Sequence, residues 1–296
     1  MTERTKAIII VHLYGSNPNI EKIMALARKD HVYLIEDCAH QHGTTINGKR
    51  VGAFGDIGSF SFQQSKVLTA GEGGAVTTSN RALAEKLDAL RNCGRRPVRI
   101  ISEPAGEGMR SDGFYGEEGN FIHSGNYRMT EFQAVMLSCQ LSRLDAQLRQ
   151  RDANASYLNR RLREIDGITP MRREPGVELQ SYFNFVFRYD QNAFRGLAVQ
   201  QFRAALSAEL GCEVKPCYEP LNNCQLYRPL TKNRYKISPA YFDQINPARF
   251  ALPVCEKAYQ HESVAFHHSV LLAEKRDMDD IVKAIMKIKE HVAEIR

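Results

Sequence analysis

The chain of 296 residues contains no tryptophan. Its near-ultraviolet background is therefore low, and any bound chromophore would be read against little protein absorbance. It also lacks a long apolar run. The strongest near the start is Ala7–Val11, far short of the ~20 residues a membrane-spanning helix needs and of a signal-peptide core. A cytoplasmic protein is expected. Charge of one sign is in only slight excess: 40 Lys+Arg stand against 34 Asp+Glu, a net +6. Acids surround most of the basic pairs, Arg95-Arg96, Arg160-Arg161 and Arg172-Arg173. A nucleic-acid binder concentrates its positive charge on one face, so no nucleic-acid partner is expected. The seven cysteines are odd in number and follow no repeating framework, which fits free thiols in a reducing compartment. Cys212, Cys217 and Cys224 lack the matched short knuckles of a zinc site, and no metal is expected.

Several signature motifs are missing as well. Gly71-Glu72-Gly73-Gly74 is glycine-rich, but no G-x-G-x-x-G opens a helix and no Walker A sequence occurs. That argues against dinucleotide oxidoreductases and P-loop NTPases. Neither H-E-x-x-H nor G-x-S-x-G is present. His267 and His268 are adjacent, so on a helix or a strand they are expected to point in different directions.

What is present reads as alternating strand and helix. Ala7–His12 is a β-branched run suited to a buried strand. Asn19 can cap a helix through Lys29 that places Ile20, Ile23, Met24 and Ala27 on one face. Val32–Asp37 is a second strand ending in two acids. The three make a βαβ unit with parallel strands. Ser59–Phe62 alternates polar and aromatic residues. The glycine turn leads to a short strand, and Arg81–Arg91 reads as a helix. From Arg95 to Asn126 no period is visible, as in a functional or mobile loop. Thr130 and Gln133 form a capping box for a long helix expected to continue, kinked, past Asp152 to Ile165. Tyr182–Asp190 is an alternating strand among helical patterns. The expected organisation is α/β, with a large domain over residues 1–155 and a smaller α/β domain over 156–296.

Three places carry candidate chemistry. Asp37 ends a parallel strand, the edge at which open α/β sheets bind ligands; alone it could equally be a structural cap. Lys66 follows the Ser59–Phe62 strand. It is a surface lysine on spacing alone, but Phe60, Phe62, Val67 and Leu68 suggest partial burial, which lowers a lysine pKa and favours nucleophilic chemistry. Ser61, Gln63, Gln64 and Ser65 supply hydroxyls and amides beside it, and Asn126 precedes the capped helix. Taken together, a strand-end acid, a downstream lysine and adjacent hydroxyls are what pyridoxal 5'-phosphate requires.

The stretch IEDCAHQHGTTINGKRVGAFGDIGSFSFQQSKVLTAGEGGAVTTSN (Ile35–Asn80) resembles the DegT/DnrJ/EryC1/StrS aminotransferases. VHLYG (Val11–Gly15), NYRMTEFQA (Asn126–Ala134) and, more loosely, LPVCEKA (Leu252–Ala258) match further motifs of that family. The resemblance implies a fold type I pyridoxal-phosphate transferase: a three-layer large domain with a mainly parallel sheet, and a smaller C-terminal domain. It implies Lys66 as the Schiff-base lysine, Asp37 as the partner of the pyridine nitrogen and Ser61 as a phosphate ligand. His40 falls where many relatives have a glutamine near the phenolic oxygen. Asn126 matches an asparagine reaching the phosphate in a neighbouring subunit, hence a homodimer with shared sites. CAH at Cys38–His40 with FQQSK at Phe62–Lys66 is similar to the glutamine-dependent scyllo-inosose and 2-deoxy-scyllo-inosose aminotransferases. The implied reaction moves an amine from an amino acid, L-glutamine, to a keto-cyclitol or nucleotide-linked keto-sugar.

One departure stands out. In the family VHLYG follows an N-terminal part of about 100 residues, the size of a small domain, which has no counterpart here. That part carries a phosphate-gripping helix start, a ring-stacking aromatic and several strands. A fragment of the large domain is the favoured expectation, with one half of a split enzyme as an alternative. A further rival is a non-catalytic remnant that binds a full-length paralogue. Another is a sugar dehydratase on the same fold, which Lys66 disfavours because dehydratases of the family carry histidine there.

Overall fold

Along the first strand, Ile8 and Ile10 pack inward while Ile9 and Val11 face out, the two-residue period of a pleated strand. The computed structural model describes residues 1–95, 121–227 and 236–295; most of the loop expected between Arg95 and Asn126 lies outside them. The chain divides into two compact units, Met1–Leu148 with Glu174–Ser181, and Arg149–Arg173 with Tyr182–Arg296.

The first unit opens with β1 (Ala7–Val11), α1 (Ile20–Lys29) and β2 (Tyr33–Asp37). Asn19 caps α1 by accepting the amide of Lys22 at 3.1 Å. The two strands run parallel, with Val11 beside Asp37, so the expected βαβ unit is present. The small strands β3 (Thr45–Ile46) and β4 (Lys49–Arg50) follow, then β5 (Ile57–Ser61) and β6 (Gly74–Thr77). The main sheet has the order β1-β2-β5-β6. β5 is parallel to β2, and β6 returns antiparallel. α1 covers one face, where Ile8, Ile10, Leu34, Ile20, Ile23 and Ala27 form a core. On the opposite face Ile9 is 64 % exposed, Val11 53 % and Tyr33 57 %, an apolar surface larger than isolated surface residues would make.

α2 (Arg81–Arg91) matches the expected span and is capped by Asn80. α3 (Glu131–Leu162) is opened by the expected capping box: Thr130 Oγ1 accepts the Gln133 amide, and Gln133 Oε1 accepts the Thr130 amide at 2.9 Å. It contains neither glycine nor proline, which removes the usual cause of a break. After β7 (Ile168–Pro170), the strand β8 (Val177–Leu179) pairs with β3.

The second unit is built on the antiparallel sheet β10-β11-β9-β7, with β9 at Asn184–Tyr189, α4 at Val199–Leu210, β10 at Val214–Lys215, α5 at Pro239–Ile245, α6 at Pro253–Lys257 and β11 at Ser263–His267. The helices α7 (Lys275–Glu290) and α8 (Val292–Ile295) end the chain. Phe185, Phe187, Phe202, Phe266, Leu271 and Ile285 are buried in its core. The rings of His267 and His268 do not diverge as expected; their centroids lie 3.9 Å apart. His267 ends β11 and His268 begins a 3-10 turn, so the pair shares neither a strand's nor a helix's geometry. Among the described residues no helix is long and apolar enough to cross a membrane.

Candidate active site

β2 ends in two acids whose side chains alternate across the sheet. Glu36 points to the face covered by α1 and is fully buried. Its Oε1 accepts the amides of Phe54 (2.7 Å) and Gly55 (2.8 Å); its Oε2 accepts Gly52 (2.9 Å) and lies 3.2 Å from His12 Nε2. Burial alone would raise the Glu36 pKa. The hydrogen bonds from His12, Gly55 and Gly52, with the charge of His12, outweigh it and hold the carboxyl below its ordinary value. Cys38 Sγ lies close enough to His12 and Glu36 for the three to resemble a metal cluster. Glu36 is already saturated by donors, however, and burial pushes the Cys38 thiol well up. The group ties β1, β2 and the 52–55 loop together.

Asp37 points to the other, open face and is half-buried. Its strand neighbours in register are Val11 and Ser59, and its Oδ1 accepts the Ala39 amide at 3.1 Å. Ser61 ends the adjacent strand β5 on the same face. The Gln63 amide donates to its Oγ at 3.3 Å, which leaves the hydroxyl hydrogen to donate elsewhere.

Beyond Ser61 the chain makes a tight turn in which the Lys66 amide donates to the Gln63 carbonyl at 2.9 Å. α3 anchors the loop that follows. Gln140 exchanges two hydrogen bonds with the backbone of Thr69, at 3.1 and 2.8 Å. Val67 packs with Leu144 and Leu148. Lys66 is thus half-buried, as its apolar flanks suggested. Burial lowers its pKa, while the charge of Asp37 pulls it back up.

His40 is buried, and its Nδ1 lies 3.1 Å from the backbone amide of Tyr14. Burial first, then Lys66 and His42, lower its pKa to about 3. His42, not singled out in the sequence, is buried with its Nε2 2.9 Å from the Ser61 carbonyl. Burial and Lys66 bring it to about 4 against the raising effect of that carbonyl. Asp37, His40, Ser61 and Lys66 are therefore brought to one end of the main sheet, with His42 and Tyr14 as additions. The strand alternation that placed Ser61 says nothing about His42, which lies in an irregular segment; its position two residues after His40 was the one available hint. Asn126 is elsewhere: it is exposed, bridges to Asn92 and accepts the Arg128 amide. None of its described contacts is with the other four.

This arrangement can hold an electron-poor heterocycle through an acid, fix a phosphate through hydroxyl and amide donors, and offer an amine of lowered basicity to a carbonyl. The model of the DegT/DnrJ/EryC1/StrS aminotransferase family matches residues 1–264. The L-glutamine:2-deoxy-scyllo-inosose aminotransferase of Streptomyces fradiae is 39% identical over 297 residues, covering 100% of this chain and 68% of that protein. The L-glutamine:scyllo-inosose aminotransferase of Streptomyces griseus is 38% identical over 296 residues, again covering 100% and 68%. The solved aminotransferase from Psychrobacter cryohalolentis is 27% identical with a TM-score of 0.76, over 100% of this chain and 70% of that one. The mixed sheet flanked by helices is accordingly the α/β architecture of fold type I aminotransferases, and the chain belongs to the DegT/DnrJ/EryC1/StrS aminotransferase family.

Proposed function

We propose that the chain transfers the amino group of L-glutamine to a keto-cyclitol of the scyllo-inosose type, with pyridoxal 5'-phosphate as cofactor, as a cytoplasmic homodimer. The observation that carries the reading is the convergence of Asp37, at the end of β2, and Lys66, in the turn after β5, close enough for the charge of one to act on the other. The relatives' names supply the donor and acceptor. Free thiols at all seven cysteines fit a reducing compartment. Phe132, Val135 and Met136, exposed on the first turns of α3, support an assembly through that face.

The acid, hydroxyl and lysine brought together here fit the cofactor's ring nitrogen, phosphate and carbonyl carbon. When bound, pyridoxal phosphate supplies an electron sink for the carbon that exchanges its amine. Asp37 would pair with the ring nitrogen. Ser61 would donate to the phosphate. Lys66 Nζ would attack and hold the carbonyl carbon and, once the donor's amine had displaced it, would take the proton from the donor's α-carbon. Its lowered pKa leaves more of it as the neutral amine that such attack requires.

The test is a visible spectrum of the purified chain with added pyridoxal phosphate. It is followed by borohydride trapping and by mass spectrometry of 2-deoxy-scyllo-inosose incubated with L-glutamine. A trapped adduct on Lys66 and an aminated cyclitol support the reading. A folded chain that gives neither rejects it. Ser61→Ala is expected to weaken cofactor binding roughly 10- to 100-fold. A hydrogen bond to a charged group contributes about 1.5–3 kcal/mol, and each 1.4 kcal/mol is about tenfold in affinity. Equilibrium titration of the visible band measures it.

A further inference from the structure

His40 is held by a backbone group that allows only one arrangement of its proton. Tyr14 lies in the short turn after β1 with φ 57° and ψ 7°, the left-handed region that residues other than glycine seldom enter. Its backbone amide donates to His40 Nδ1 at 3.1 Å, in a buried position. The ring of Tyr14 stacks on the imidazole with centroids 5.9 Å apart and planes 17° apart. A backbone N–H can only donate, so Nδ1 must be the nitrogen with the lone pair. A neutral imidazole has one nitrogen of each kind, and the hydrogen therefore sits on Nε2. Protonation would set two hydrogens against each other at Nδ1, and burial, then the neighbouring Lys66 and His42, disfavour the cation further.

We propose that the Tyr14 amide locks His40 as its Nε2–H tautomer, which makes Tyr14 a positioning residue and His40 a permanent hydrogen-bond donor to an anionic oxygen of the bound ligand. The identification of that oxygen as the cofactor's rests on the proposed function; the lock itself does not. Within the site His40 then neither accepts nor relays a proton, and proton movement is left to Lys66. A glutamine side chain, which also presents an N–H donor, would serve the same purpose.

The lock is tested without cofactor by long-range proton–nitrogen NMR of the full chain's imidazoles, with His40→Gln identifying the signals. His40 is expected to show an unprotonated Nδ1 and a protonated Nε2, unchanged between pH 5 and 8. Tyr14→Gly keeps the amide and tolerates positive φ, so the single tautomer should persist without the ring. Tyr14→Val disfavours that backbone and should turn His40 into a tautomer mixture. A wild-type Nδ1–H tautomer or an imidazolium signal would overturn the lock, as would a folded Tyr14→Val variant with unchanged nitrogen shifts. The wild-type spectrum decides the matter even if Tyr14→Val does not fold. With pyridoxal phosphate, His40→Gln is expected to leave the visible band in place and His40→Glu to shift it. A confirmed tautomer with no band in any protein would reject the proposed function and leave the lock standing. A band that His40→Glu does not move would overturn the donor role.

Discussion

Lys66→Ala is expected to erase the visible band of the cofactor-loaded chain and to reduce glutamine-dependent amination by at least about 10²–10⁴-fold, the range for loss of a positioned proton-transfer group. The covalent role makes the loss larger still. The tight turn after Ser61, anchored through Thr69 by Gln140, does not depend on the lysine side chain, so the variant should fold. Its circular dichroism should match the wild type while borohydride labels nothing. A band of normal intensity in Lys66→Ala would transfer the role to another lysine and undo the assignment. The half-buried Lys66 also gives a direction for pH. With the amine's pKa below its ordinary value, the reactive neutral fraction grows as pH rises through that lowered value. The rate at which Lys66 captures added pyridoxal phosphate should accordingly rise at a lower pH than that of a solvent-exposed lysine.

Glu36→Ala is expected to destabilise the first unit by about 3–5 kcal/mol, the usual cost of removing one partner from a buried charged network. For a unit of this size that corresponds to a melting temperature lower by roughly 6–20 °C. The variant leaves three amides, those of Gly52, Phe54 and Gly55, and the ring of His12 without their common acceptor. The second unit does not use this carboxylate, so the loss should fall on the first unit. Because the folded pKa of Glu36 lies below its ordinary 4.5, its contribution is fully present above that pH. It is lost as pH falls through the folded value. The gap between wild-type and Glu36→Ala melting temperatures should therefore narrow in acid. A gap that stays constant from pH 7 to pH 3 would remove the ionised carboxylate from the explanation.

Much of the first unit could be read from local chemistry. The β-branched run at Ala7–Val11, the Asn19 cap and the acids closing β2 lie within a single βαβ unit. Their signals are propensity and period, which a sequence displays directly. Ser61 and Lys66 were legible for the same reason, as a strand end and a turn. The partners of Glu36 were not. Alternation assigns Glu36 the face opposite Asp37, but its acceptors are filled by a loop with no period of its own. Tyr14 was hidden differently: its role lies in a backbone amide, in a turn whose positive φ makes a tyrosine improbable. His267 and His268 were misjudged because a strand gives way to a 3-10 turn between them, where neither regular geometry applies. Asn126 drew its phosphate role from resemblance alone, and its described contacts, Asn92 and Arg128, lie apart from the strand-end group.

The carboxylate beneath β2 has a consequence for how the molecule breathes. A glycine-punctuated loop with no ladder of its own normally trades its amide hydrogens with water through small local openings. The amides of Gly52, Phe54 and Gly55 are instead bonded to a side chain in the middle of the sheet. They can exchange only when that strand lets go. In deuterium oxide these three positions should retain hydrogen as long as the sheet interior does, and the slow-exchanging heart of the first unit would extend into a segment that carries no regular secondary structure.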